Sequence, residues 1–212
     1  MPSTAGKLGL VKVGGTPTAF TDEAVNVLTT NKIYQIANTA KQIWSPTATI
    51  TVKAAGVAVD AVADPYVINR LTGIVTFTNT SARGTVTISG TYMPMSTIVK
   101  SKAITYTHGN EVLDDTTFDS NGYDESIPGI RSIMATLGRN WESTYSAIFW
   151  AAIQNGTLMV IQIFHDKNAA MDLAFWARPT KQAVDVATRQ VIGEELTFVG
   201  SSDADLRVVS LL

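Results

Sequence analysis

From Thr85 to Tyr92 the sequence reads TVTISGTY, with Val86, Ile88 and Tyr92 on one face of an extended chain and Thr85, Thr87, Ser89 and Thr91 on the other. A period of two, carried by β-branched residues, specifies a half-buried strand; a helix would scatter these side chains around its axis. The same pattern recurs down the chain. Ile74 to Thr78 (IVTFT) precedes this strand across the polar NTSARG loop. Tyr66 to Asn69 pairs with it across RLTG, where Gly73 can take a positive φ. Thr49 to Lys53 adds another short strand. Together Trp44 to Met95 read as a compact β-module ended by Pro94, within a single domain of 212 residues. Further strands are expected at Lys7 to Val13, Lys102 to Thr107, Ile130 to Leu137, Leu158 to Phe164, Met171 to Arg178, Ala183 to Thr188, Glu195 to Val199 and Leu206 to Leu211. The fold class is mainly β, and the length suffices to bury a sizeable core.

One segment breaks the rhythm. Ser143 to Asn155 (STYSAIFWAAIQN) opens with a capping-type Ser and has Gly156 just beyond its end. These features predict a helix of about three and a half turns. Tyr145, Ile148, Phe149, Ala152 and Ile153 form an apolar stripe, which Ala147, Trp150 and Ala151 extend around the cylinder. A helix apolar nearly all round is covered on more than one side. Its own sheet supplies one cover and a neighbouring subunit the other, with Trp150 facing that partner or its rim. The following LMVIQIF is apolar on both faces, as befits a strand covered twice.

Charge narrows the function. Charged residues make up 16% of the chain, against roughly 25% in an ordinary soluble protein. The formal net charge is −2. A Thr-rich, weakly charged surface near neutrality favours association. With no basic block, general nucleic-acid binding through displaced counterions is not expected. The chain has no cysteine, which excludes disulfides, thiolate nucleophiles and cysteine–zinc sites. MPSTAGKLGLVKV lacks the charged and then apolar plan of a signal peptide. AIFWAAI and LMVIQIF are too short to span a bilayer, so no membrane partner is expected.

No catalytic set emerges, and the chain reads as a non-enzyme without cofactor or metal. His108 and His165 stand far apart, and His165-Asp166 fits a strand end beside a turn better than a ligand pair. DSNGYDE has the superficial look of a calcium loop, but its Gly falls at the fourth position instead of the sixth. Phosphate-loop, GxSxG and GxGxxG patterns are absent. Of the four tryptophans, Trp150 and Trp176 lie among apolar neighbours, which favours a core or interface role over a sugar platform.

The irregular stretch Asn110 to Gly129 combines Glu111, Asp114, Asp115, Asp119, Asp124 and Glu125 with Phe118, Tyr123 and Ile127. A loop of this length is uncommon in a compact domain unless it is functional or disordered, and the aromatics argue against pure disorder. NEVLDDTTFDSNGYDESIPGIRSIMATLGRNWE resembles a segment of the major tail proteins of long-tailed bacteriophages, the family that builds the tail tube. The matching positions are Asp115, Thr116, Thr117 and Phe118, then Glu125, Ile127, Pro128, Gly129 and Ile130, then Trp141 and Glu142. A helix and further strands follow in the family, as STYSAIFWAAIQNGTLMVIQIF does here. The resemblance covers Lys102 to Val199. The family usually has small or polar residues where this strand reads Ile133 and Met134.

The resemblance implies a β-sandwich or barrel-like tail-tube fold flanked by one helix at 143–155. It also implies hexameric rings stacked into a hollow tube, a virion protein made in the host bacterial cytoplasm. Other tail proteins would meet the tube at its ends, and DNA would pass through it without specific binding. Assembly contacts are expected at Asp114, Asp115, Thr116, Thr117, Phe118, Tyr123, Glu125, Ile127, Pro128, Gly129 and Trp150, with Pro128-Gly129 turning the chain back into the strand from Ile130. The rival reading is a β-sandwich binding module for a carbohydrate or receptor. It accounts for strands and aromatics but not for the acidic T-T-F loop followed by a single helix.

Overall fold

The computed structural model describes residues 9–114, 126–166, 171, 173–186, 190–203 and 209–211. Nine strands come first: β1 (Leu10–Gly14), β2 (Thr18–Thr29), β3 (Ile33–Ile36), β4 (Thr51–Ala54), β5 (Val57–Ala58), β6 (Tyr66–Asn69), β7 (Ile74–Phe77), β8 (Val86–Tyr92) and β9 (Met95–Thr97). A long pair, β10 (Ser101–Asp114) and β11 (Ser126–Asn140), leads into the helix α1 (Ser143–Asn155). Then come β12 (Met159–Phe164), β13 (Leu173–Asp185), β14 (Gly193–Gly200) and β15 (Val209–Leu211). Among the described residues the architecture is mainly β with one α-helix, as expected.

The chain divides into two compact units. The first comprises Met1–Ile98, Leu158–Trp176 and Ser201–Leu212; the second comprises Val99–Thr157 and Ala177–Gly200. In the first, an antiparallel sheet runs β5-β4-β8-β2-β3-β7-β6. The β6–β7 hairpin pairs as expected, Tyr66 with Phe77 through Asn69 with Ile74, and Gly73 takes φ 64°. Val86 and Ile88 are buried while Thr87, Ser89 and Thr91 are half-buried, so the alternation of β8 is real. Phe20, Tyr34, Ile36, Trp44, Val52, Val75, Phe77 and Ile88 close the core of this sheet. Also in this unit, β1 pairs antiparallel with β9 and with β12, and β15 pairs with the start of β13. Val160, Ile161, Gln162 and Ile163 of β12 are all buried, which is why that strand is apolar on both faces.

Strands β2 and β3 lie where no strand was expected. β2 carries only one fully buried side chain, Phe20, and its pairing with β8 shifts register between Phe20 and Glu23. Asp22, at φ 49°, sits in that bulge. A bulge resets which face each side chain occupies, so a period of two cannot persist across it.

In the second unit the antiparallel order is β10-β11-β14-β13. Residues 173–178 and 183–185, expected in two separate strands at Met171 to Arg178 and Ala183 to Thr188, prove to belong to one, β13, which runs through Pro179. Its register with β14 shifts between Pro179 and Lys181. A bulge is one of the few places where a strand tolerates a residue without an N–H. β10 and β11 also reach well beyond their expected ends.

Register sorts the side chains of this unit. Ile133, Ala135, Leu137, Leu196 and Phe198 are buried, and Phe149 of α1 meets Phe198 edge-on at 5.7 Å. Phe149 and Ala152 are buried and Tyr145 and Ile153 half-buried, so the helix stripe holds except at Ile148, which is exposed. Gly156 closes the helix in the left-handed conformation, as expected, but the N-cap is Glu142, not Ser143. Glu142 accepts the Tyr145 N–H at 3.1 Å. That bond, reinforced by others at the helix start and by Arg139, holds its carboxyl below the usual glutamate range. A carboxylate there also complements the helix dipole.

Candidate assembly surface

β10 is the edge of its sheet, bonded to β11 and to no other strand among the described residues. It pairs with β11 from Ser101 with Arg139 to Asp114 with Ser126, with bulges near both ends. From residue 101 to 110 only Ile104 is even half-buried. An edge this long and accessible on both faces is a template for another chain. Across the sheet, Thr105 and Thr107 share a face with Thr136 and Met134, which pair in turn with Thr197 and Val199. That face is threonine-rich and largely uncovered, whereas α1 packs on the opposite one.

The stretch read as an irregular loop is shorter than expected. Asn110 to Asp114 continue β10, and Ser126 to Gly129 begin β11, with Val112 opposite Pro128, Leu113 opposite Ile127 and Asp114 opposite Ser126. Pro128-Gly129 therefore lies inside a strand and makes no turn. The cause is the pairing: three residues on each side find partners, so the chain remains extended. Asp115, Thr116, Thr117, Phe118, Tyr123 and Glu125 lie outside the described residues, as does the whole of DSNGYDE. The departure from the family pattern at Ile133 and Met134 has a simple form: Ile133 is buried opposite His108, and Met134 is exposed opposite Thr107.

Beneath α1 lies a buried ion pair. Arg139 Nε donates to Glu194 Oε2, and both side chains are fully buried. Arg139 Nη2 donates to the Glu142 carbonyl at 3.0 Å, and its guanidinium lies 5.4 Å from the Tyr145 ring centre. This arrangement fixes the start of α1 to β11 and β14. Trp150 stands 56% exposed on α1 and Trp141 39% exposed just before it, whereas Trp176 is in the core. The sequence reading missed Gln182, whose Nε2 donates to Ser146 Oγ at 2.7 Å and to Glu194. Spacing was the available signal: Ser143, Ser146, Ala147 and Trp150 fall at i, i+3, i+4 and i+7, one face of a helix.

Among the described residues no cluster of three or more His, Asp or Glu could hold a metal ion. His108 is exposed on β10, and His165 is exposed just past β12. Among the same residues no helix is long and apolar enough to cross a membrane.

No protein-family model matches the chain, and no curated protein matches it. Several chains of solved structures are similar to it, two of them over part of its length as follows. One is a chain of the virion of a native gene transfer agent particle, at 15% identity and TM-score 0.45, over 56% of this chain and 88% of that one. The other is a chain of the tail of an empty gene transfer agent particle, refined helically with C6 symmetry. It matches at 15% identity and TM-score 0.46, over 56% of this chain and 87% of that one.

Proposed function

We propose that this chain is a structural subunit of a phage-like tail, assembling into hexameric rings that stack as a tube through which DNA is delivered. The observation that carries the reading is β10, a strand of 14 residues at a sheet edge, exposed from Ser101 to Asn110 except at the half-buried Ile104. Little blunts it: between Ser101 and Asn110 there is no proline and one lysine, Lys102, and the bulges lie near its ends. A sheet that must continue into a neighbour needs such an edge. The resemblance over Lys102 to Val199 names the kind of neighbour, a further copy of the chain. A heterologous contact of this type closes into a ring when the rotation allows.

In this reading the hairpin end, from Asp114 to Gly129, makes contacts between copies, and other tail proteins meet the tube ends. Trp150, exposed on α1, makes a further contact between copies in this reading. The threonine face of β11 and β14 suits a wall past which DNA moves, because hydroxyls offer no cation to hold phosphate. Electron microscopy of the purified, concentrated protein is the test. Rings or hollow tubes are the expected result. A monomeric mass by light scattering, unchanged across concentration and ionic strength, removes the proposal.

A further inference from the structure

Asn155 is the last residue of α1, and Gly156 follows it. Of the asparagines among the described residues, this is the one that precedes a glycine; others precede larger residues such as Val27, Arg70, Thr80 and Trp141. The distinction is chemical. A Cβ on the following residue shields its main-chain nitrogen, and glycine has none. Asn155 is exposed, and its side chain makes no hydrogen bond among the described residues. Asn38, Asn69 and Asn79, by contrast, commit their side-chain oxygens to the N–H groups of Ala40, Leu71 and Ser81.

We infer that Asn155 is a site of spontaneous deamidation, at a rate governed by how firmly the C-cap of α1 is held. The Gly156 nitrogen attacks the side-chain carbonyl carbon of Asn155. The new N–Cγ bond closes a succinimide ring, and the side-chain amide leaves as ammonia, taking the Gly156 proton. Water then adds to either imide carbonyl. Opening at one gives aspartate; opening at the other gives isoaspartate, whose main chain carries an extra methylene. The folded chain restrains the first step. Gly156 N–H donates to the Ala152 and Ile153 carbonyls, and Thr157 N–H donates to the Ala152 carbonyl at 2.9 Å. Arg178 Nη1 of β13 donates to the Gly156 carbonyl and clamps the cap from outside. The bond from Gly156 to Ile153 is long, 3.3 Å, and is the weak member of the set. Attack requires the last turn to open, so the folded rate is the open-chain rate multiplied by the open fraction. A carboxylate at this end opposes the helix dipole, and the isoaspartate methylene puts the cap bonds out of register. Each conversion therefore loosens the end of α1. The inference uses neither β10 nor the threonine face, and it stands apart from the tube reading.

The test is incubation of the full chain in mildly alkaline buffer, folded and in concentrated urea, followed over time by peptide mapping with mass spectrometry. Mapping separates Asn155 from the other Asn-Gly pair of the sequence, Asn121-Gly122. The Asn155 peptide should gain the mass that accompanies exchange of an amide for an acid, in aspartate and isoaspartate forms resolved by retention. The folded chain should convert at least about tenfold more slowly than the unfolded one. Arg178→Gln, at an exposed position, should speed conversion of the folded chain by about threefold to tenfold, as loss of one solvent-exposed hydrogen bond from a charged group would. It should leave the rate in urea unchanged. Gly156→Ala should suppress conversion in urea, where its effect on the fold plays no part. The inference is overturned if Asn155 of the folded chain remains an amide after the urea sample has converted many times over. It is also overturned if folded and unfolded chains convert equally fast, or if folded Arg178→Gln keeps the wild-type rate.

Discussion

Arg139 on β11 and Glu194 on β14 sit opposite each other in register and form a fully buried ion pair. Each side chain has a second commitment: Arg139 to the Glu142 carbonyl, and Glu194 to the Gln182 amide. Arg139 Nη1 is buried without a partner, so the pair is not fully satisfied. Removing one member strands the other charge, which costs about 3–5 kcal/mol. Arg139→Met and Glu194→Gln should each lower the unfolding free energy by that order in urea. The double variant Arg139→Met, Glu194→Leu should cost less than either single change. A double variant as unstable as the sum of the singles would show that the charge pair is not the cause.

Gly73 and Gly56 both have positive φ, 64° and 82°, but their surroundings differ. A Cβ on Gly73 would lie 2.8 Å from both Cα and the carbonyl oxygen of Gln42, backbone atoms that cannot step aside. A Cβ on Gly56 would meet nothing within 4 Å. Gly56→Ala should therefore cost only the left-handed strain, about 1–2 kcal/mol. Gly73→Ala should cost clearly more. Thermal melts of the two variants make the comparison, and equal losses would mean that the Gln42 contact relaxes freely.

Asp64 accepts hydrogen bonds at 2.7 Å from both Arg83 Nε and Arg83 Nη2, while the Arg83 guanidinium lies 3.7 Å from the Phe77 ring centre. The Arg83 bond holds the Asp64 carboxyl below its ordinary value of 3.8. With the folded pKa below the unfolded one, the stabilisation is complete above 3.8 and is lost as pH falls through the lower folded value. Stability of the wild-type chain should thus drop on acidification through that window. Asp64→Asn should show less of the drop and be less stable at neutral pH. Parallel slopes for the two proteins between neutral pH and acid would refute the assignment.

Phe118→Ala tests the hairpin end as an assembly element. Burying an aromatic side chain against a neighbour offsets the entropy of ordering the segment. If Phe118 packs only in the assembled state, the unassembled variant should melt within about 0.5 kcal/mol of wild type. It should require a higher concentration to polymerise. Hydrogen exchange over 114–129 should slow on assembly. Equal exchange in both states would make the segment a plain connector.

Duplex DNA should bind the chain only weakly, without sequence preference, and less as salt rises, because net charge −2 supplies few released counterions. Fluorescence anisotropy across a salt series measures this. Sequence-specific binding near physiological salt would contradict a passive conduit.

The strands β6, β7, β8 and β14 were legible in the sequence because each presents an unbroken face to one environment, and a period of two then survives in the residue types; β12 was legible as a short continuous apolar run, being covered on both faces. The helix was legible for the same reason, together with Gly156 at its end. Tertiary structure decided what depends on partners distant in sequence. The bulge at Asp22 hid β2, and the bulge beyond Pro179 joined two apparent strands into one, since a bulge is defined by the strand opposite. Glu142 took the cap from Ser143 because a neighbouring carboxylate reaches the Tyr145 N–H. Trp141 and Trp150 are as apolar as Trp44 and Trp176 in the sequence, yet only the latter two are buried. Amino-acid type sets how much a side chain gains by leaving water; which side chains find a place to do so is settled by the packing of elements that the local sequence does not encode.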